Sequence, residues 1–367
     1  MTNFVSPDFW EGKRVFVTGH TGFKGAWLSS WLLSMGAEVH GYALTPVYHR
    51  SPYELAELSA RITETLADIN DARSVSDALN AANPHIVFHL AAQPLVRSSY
   101  REPVQTYATN VMGTVNLLAA LQHCRSLQAV VVVTTDKCYL NQELERGYNE
   151  DDRLGGSDPY SSSKACVELL VKSWYQSFMR EGNVRNHSAG LATVRAGNVI
   201  GGGDWSEDRL IPDVLRALER GDEPVIRNPA AVRPWQYVLD PLAGYLTLAQ
   251  RLAADPSGYS EPWNFGPDRS DARSVGEVVE RLLKLLSPES TWTYVADSVM
   301  AETSRLYLDC SKVHSRLGWR PQFGLDSALD RVAAWHARES DGADMSAFMD
   351  SEVTNYTQEA KQQTHGS

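Results

Sequence analysis

Short apolar runs alternate with amphipathic stretches through the first half of the chain. Arg14-Val15-Phe16-Val17-Thr18 reads as a buried strand, and Glu38 to Tyr42 as the next. His85 to Leu90 is another. Ala129 to Thr135 contains four consecutive valines, Val130 to Val133, and Leu191 to Val194 fits a further strand. Runs that are apolar on both faces suit a parallel sheet covered on both sides. Helical periods fall between them, from Gly25 to Ser34 and from Asn110 to Gln122. Strand and helix in repeated alternation predict an α/β protein with a Rossmann-type, doubly wound parallel sheet.

The texture changes after about Gly197. Gly201-Gly202-Gly203 and Pro212, Pro224, Pro229 and Pro234 interrupt the alternation. Short helices follow, at Asp240 to Ala253 and Val275 to Leu286. This predicts a smaller α/β C-terminal lobe. Residues 8–196 are assigned mainly to the sheet domain and 197–340 mainly to the second lobe, with interleaved segments. Residues 341–367 form a polar tail that is expected to fray.

Composition narrows the function classes. The 367 residues carry 34 basic and 45 acidic side chains, a formal net charge of -11. A general grip on nucleic acid needs clustered positive charge, so that class is disfavoured. No apolar run is long enough for a membrane helix. Met1-Thr2-Asn3-Phe4 lacks a signal-peptide layout. Cys124, Cys138, Cys166 and Cys310 show no close pairing. They read as reduced thiols in a cytoplasmic protein without a metal site.

The first strand runs into Gly19-His20-Thr21-Gly22-Phe23-Lys24-Gly25, and a helix follows. Glycines let the backbone approach a pyrophosphate, and the helix N-terminus supplies unpaired N–H groups. A dinucleotide cofactor is therefore expected, with Gly19, His20, Gly22, Phe23, Lys24 and Gly25 around it. The acid that should close the second strand is missing; Gly41, Tyr42, Ala43 and Leu44 stand there. Lys24 could favour a 2′-phosphate, so NAD and NADP both stay open at this point. Asp68-Ile69 ends a strand and could sit beside adenine, though a plain turn fits that pair equally.

Tyr160 and Lys164 stand four apart at the start of a helix after Pro159, so they share a face. A phenol is a poor base at neutral pH unless positive charge lowers its pKa. Lys164 and a positive nicotinamide ring would supply that charge, and Tyr160 could then take a proton from a sugar hydroxyl. Thr135, Asp136 and Lys137 follow the valine strand. Ligands of open α/β sheets sit beyond the carboxyl ends of strands. Thr135 can hold the reacting hydroxyl. Asp136 and Lys137 add an acid and a base, which an alcohol dehydrogenase does not need but an elimination does. The plainer reading of Asp136-Lys137 is a solvated pair on a loop.

Taken together, these motifs and several flanking stretches resemble the extended short-chain dehydrogenases that act on nucleotide sugars. The stretches are His89-Leu90-Ala91-Ala92-Gln93, Leu154 to Lys164, Arg195 to Trp205 and Arg233 to Val238. Within that group the likeness is to the CDP-glucose 4,6-dehydratase family, over residues 8 to 337. The Asp-Lys pair discriminates, because the dTDP-glucose relatives carry Asp-Glu. The resemblance implies NAD, and a redox-neutral cycle in which C4 is oxidised, water leaves C5–C6 and hydride returns to C6. It implies Asp136 as the acid at the C6 hydroxyl and Lys137 as the C5 base. It places Ala91 and Ala92 at the cofactor, and Asn198 and Arg233, with Arg209, at the substrate diphosphate. Gln93 and Arg97 are candidates for sugar or cofactor contacts, against a structural role for each. It also implies deoxysugar supply to surface polysaccharides such as lipopolysaccharide O-antigen. A homodimer, or a homotetramer, is expected through helices at Asn110 to Gln122 and Ser161 to Phe178, with burial inside one chain as the competing explanation. Another nucleotide-sugar dehydratase, an epimerase and a non-catalytic nucleotide-binding regulator are the alternatives.

Overall fold

A computed structural model describes residues 5–182, 188–295 and 306–365. The N-terminal four residues lie outside these. Six strands come first: β1 (Arg14–Thr18), β2 (Glu38–Ala43), β3 (Thr63–Leu66), β4 (Ile86–His89), β5 (Ala129–Val133) and β6 (Gly190–Ala196). Then come β7 (Asn198–Ile200), β8 (Val225–Ile226), β9 (Val232–Tyr237), β10 (Trp263–Phe265), β11 (Ala272–Ser274) and β12 (Thr293–Tyr294).

The main sheet has the order β10-β6-β5-β4-β1-β2-β3, and every pairing is parallel. All five residues of β5 are buried, as expected of a strand covered on both faces. One apolar cluster, with Trp10, Trp27 and Trp263 fully buried, packs on one side. A second, with Leu79, Leu117 and Val167, packs on the other. The order reverses beside β1, so the carboxyl ends of β1 and β4 open into a crevice. Two strands of this sheet escaped the apolar pattern. β3 is Thr-Glu-Thr-Leu and has no buried residue. β10 is three residues long and comes from the second half of the chain.

The second lobe carries a three-stranded sheet, β11-β9-β7, and the pair β12-β8. Helix Leu239–Ala254 returns to the main sheet and packs on β5 and β6.

The expected frayed tail is corrected. Met345–His365 is a helix. Met345, Met349, Val353 and Tyr356 are buried in the core. Their spacing places them on one face. The Tyr356 hydroxyl donates to Asp240 at 2.8 Å and Tyr237 donates to Glu352 at 2.9 Å. Its high polar content reflects the other faces, which meet water.

Candidate active site

The strand ends open into one cleft of about 780 Å³. Tyr42 and Ala43 at the end of β2 and Asp68 beyond β3 line one end. Thr135, Asp136, Lys137, Tyr160 and Lys164 line its middle. Arg227, Asn228 and Arg233 line the other end.

The glycine loop is shaped by what its backbone must approach. Gly19 has φ +77°, and a Cβ there would stand 2.7 Å from the Ala91 nitrogen. A Cβ on Gly25 would stand 2.1 Å from the Gly19 carbonyl oxygen. No larger residue fits either position. Gly22 leads into helix Phe23–Ser34 without a side-chain cap. The first-turn N–H groups are thus left for a ligand, which suits a pyrophosphate. Thr18 holds the neighbouring turn by accepting from the Leu90 and Ala91 amides at 3.2 and 3.1 Å. Ala91 and Ala92 therefore line the cleft. The His89 ring bridges Thr18 and Thr114 at 2.7 and 3.0 Å. Burial, with Lys164 nearby, pushes its pKa down to about 3, so it is neutral.

Two loop residues differ from expectation. His20 does not line the cleft. Its ring is fully buried beneath Gly41, where a Cβ would come within 2.6 Å of it, and Nε2 meets Glu64 at 2.7 Å. The ring ties the loop to β3, and burial pushes its pKa down. Lys24 does line the cleft, but not at the adenine end. Its Nζ sits 5.9 Å over the Tyr245 ring, and its charged neighbours are Arg209, Asp136, Lys164 and Asp204. Burial, then Arg209, brings its pKa down to about 7. That position puts Lys24 among the residues around Asp136 and Lys164 and away from Asp68. Asp68 and Ile69 do line the cleft. Asp68 accepts from the Asn70 amide at 2.9 Å, and its carbonyl accepts from Tyr42 at 2.8 Å.

Helix Pro159–Trp174 starts with Pro159 in its first turn, and Asp158 caps it, accepting from the Ser161 amide at 2.9 Å. That start fixes Tyr160 and Lys164 on the cleft wall. The Lys164 ammonium donates to the Val133 carbonyl at 3.0 Å. Burial lowers its pKa to about 8, against the opposing pull of Glu168. Thr135 accepts from the Lys137 amide at 3.3 Å and donates to Asp136 at 3.1 Å. Burial raises the Asp136 pKa and lowers that of Lys137, each partly offset by the other's charge. Burial also holds the Tyr160 phenol up at about 12, opposed first by a hydrogen bond with Thr135 and then by Arg209. Tyr160 is thus protonated at neutral pH until further positive charge arrives.

The GDP-mannose 4,6 dehydratase family matches residues 16–332. A CDP-glucose 4,6-dehydratase from Salmonella typhimurium is 47% identical over 352 residues, spanning 96% of this chain and 98% of that protein. The chain belongs to the nucleotide-sugar 4,6-dehydratase family. A dTDP-glucose 4,6-dehydratase from Streptomyces venezuelae, solved with NAD bound, superposes with a TM-score of 0.75 at 25% identity, covering 90% of this chain and 98% of that one. A UDP-glucose 4-epimerase from Thermotoga maritima shares the fold, with a TM-score of 0.77 at 22% identity over 89% and 99%.

The remaining expected residues of the dehydratase divide. Asn198, Arg209, Arg233 and Arg97 line the cleft. Arg97 faces Asp208 at 3.7 Å. Gln93 does not line it. Its amide donates to Thr106 at 2.9 Å and to the Leu95 carbonyl at 3.1 Å, and it accepts from the Leu95 amide. Gln93 braces its own loop instead of meeting a ligand.

Sequence reasoning missed Glu168 and Arg195, each 2% exposed and paired at 2.7 Å behind the site. Glu168 also accepts from Thr134 and, at 2.7 Å, from Thr193. Arg195 donates to the Tyr139 hydroxyl at 2.7 Å. The available signals were an arginine inside a buried strand and a glutamate one turn beyond Lys164.

Proposed function

We propose that this dehydratase converts CDP-glucose to CDP-4-dehydro-6-deoxy-D-glucose with NAD as its redox cofactor. The observation that carries this reading is the Asp136-Lys137 pair in the same cleft as Thr135, Tyr160 and Lys164. An acid and a base beside an oxidation site are what an elimination needs.

NAD fits the residues present. The space beside Gly19 and Gly25 admits no side chain, and the uncapped helix start at Gly22 suits its pyrophosphate. Ala91, Ala92 and Lys164 would hold the nicotinamide half, and Asp68 and Ile69 the adenine half. NAD held there would supply the hydride acceptor for C4, the hydride donor for C6 and a positive charge in the site. Thr135 holds the C4 hydroxyl and Tyr160 takes its proton. The resulting 4-ketone acidifies C5–H, and Lys137 removes that proton. Asp136 protonates the C6 hydroxyl, which leaves as water. Lys137 gives its proton back to C5. Lys137 acts as a base only when neutral, and its depressed pKa favours that form. Asn198, Arg209 and Arg233 hold the diphosphate, for which guanidinium geometry is suited.

Further assignments belong to the same reading. The enzyme works in the cytoplasm as a homodimer, with a homotetramer as the next assembly. Val104, Met112 and Leu169 are more than half exposed and lie on helical segments that pack together. A partner copy would cover them. Trp174 and Phe178, expected at that face, pack against each other at 4.9 Å and against the chain's own core.

The test is a mass spectrum after incubation with CDP-glucose, UDP-glucose and dTDP-glucose in parallel, with NAD. Loss of one water from CDP-glucose alone, without build-up of reduced cofactor, is expected. Water loss from a different nucleotide overturns the CDP assignment. Unchanged mass in all three overturns the reaction.

A further inference from the structure

Beyond Arg209 and Arg233 the cleft ends in a slot with apolar walls and one charged edge. Leu210, Val214 and Pro224 are among the wall residues. Arg227 follows β8 and stands between two carboxylates. Its Nη2 lies 3.6 Å from Asp208 Oδ1 and 3.7 Å from Asp213 Oδ2. Both are ion-pair distances slightly longer than a hydrogen bond, so the Arg227 donors are not committed to either carboxylate by a hydrogen bond. The other oxygen of Asp213 accepts from Arg216 at 2.6 Å, which leaves Oδ2 turned toward Arg227. The same Asp208 oxygen lies 3.7 Å from Arg97 Nε. Arg227, Asp208 and Asp213 all line the cleft.

We propose that Arg227 and Asp213 read the base of the substrate and select cytosine over uracil. The proposal rests on the CDP-glucose reading above and names the residues that would enforce it. The pairing edge of cytosine presents two acceptors, O2 and N3, beside the N4 amino donor. A guanidinium supplies donors in one plane, and a carboxylate accepts from N4. Asp213 Oδ2 and the Arg227 guanidinium place an acceptor and donors side by side in the slot. Uracil reverses two of the three contacts. Its N3–H points at the guanidinium and its O4 at the carboxylate. Specificity of this kind comes from the mismatch as much as from the match, because the wrong base leaves charged groups unpaired. Thymine keeps the uracil pattern and adds a methyl group, so it is rejected on the same ground.

The experiment is calorimetric titration of the full-length protein with CDP and with UDP. It is repeated on Asp213→Asn and Arg227→Met, with melting temperature as the folding control. The Asp213→Asn change keeps the shape of the side chain and gives it an amide that can donate to O4. Wild type is expected to bind CDP about tenfold or more tighter than UDP. Asp213→Asn is expected to narrow the ratio to within about threefold, by weakening CDP and strengthening UDP, and Arg227→Met to weaken CDP more than UDP. If wild type prefers CDP and both variants keep that preference, the base-reading proposal is overturned and the CDP reading stands. If wild type shows no preference for CDP, the CDP reading fails and the proposal falls with it.

Discussion

Two acid–base pairs adjoin the carboxyl end of β5 and do opposite work. Glu168 and Arg195 are buried behind β5 and β6, bonded at 2.7 Å, and Glu168 has Thr134 and Thr193 as further donors. Asp136 is buried and Lys137 half-buried just past the end of β5, and the partners of neither offset the loss of water. The Asp136 pKa is raised and that of Lys137 lowered by it. A charge whose partners outweigh its burial stays a charge and fixes geometry. A charge with too few partners is ready to change its protonation state. The difference explains why one pair supports Thr134 and Lys164, while the other is suited to moving protons.

The comparison breaks most visibly at Lys137. Lys137→Met is expected to lower kcat by about 10²–10⁴-fold, the usual worth of a general base. C4 oxidation should survive, so reduced cofactor should accumulate in the absorbance spectrum. Full turnover would remove Lys137 from the mechanism. At the rear pair, Glu168→Gln leaves the Arg195 charge uncompensated. A loss of about 3–5 kcal/mol is expected on thermal or denaturant unfolding. Replacing both residues with apolar ones should be milder than either single change, because no buried charge is then orphaned.

Acid titration sharpens the contrast. A base must lose its proton to work, so kcat/KM should rise with pH through the Lys137 titration. Lys137→Glu substitutes a group that ionises at lower pH. The rising limb should move to the acid side while turnover persists. A limb that does not move assigns the titration elsewhere.

A comparable effect on stability concerns Asp240, which holds the C-terminal helix through Tyr356. Burial pushes its carboxyl up to about 7. The unfolded value is about 4. The protonated folded form is therefore favoured, and this contribution is complete below about pH 4 and lost as pH rises to about 7. Asp240→Asn keeps the acceptor for Tyr356 and Gln322 but cannot ionise. Its melting temperature relative to wild type should climb across that window and level off above it.

The chain's pattern made the front of the molecule readable and the back obscure. The loop at Gly19 to Gly25 and the Tyr160/Lys164 pair were legible because their chemistry demands fixed residue types at fixed spacings. Continuous valines marked β5. β3 stayed hidden because Thr63–Leu66 has no apolar alternation, and β10 because three residues carry no period. His20 and Gln93 sit inside motifs yet turn toward structural partners, and only tertiary contacts decide which way a side chain faces. The C-terminal helix was masked by its average polarity, although Met345, Met349, Val353 and Tyr356 keep helical spacing. Arg227 and Asp213 are fourteen positions apart. Only the fold brings them into one slot.

In the proposed cycle the hydride taken from C4 returns to C6 of the same sugar while Lys137 and Asp136 remove water between. CDP-glucose deuterated at C4 tests it directly, with the product read by mass spectrometry and NMR. A dehydrated product with the deuterium in its C6 methyl group is expected. Deuterium left at C4, or lost to solvent, would contradict it.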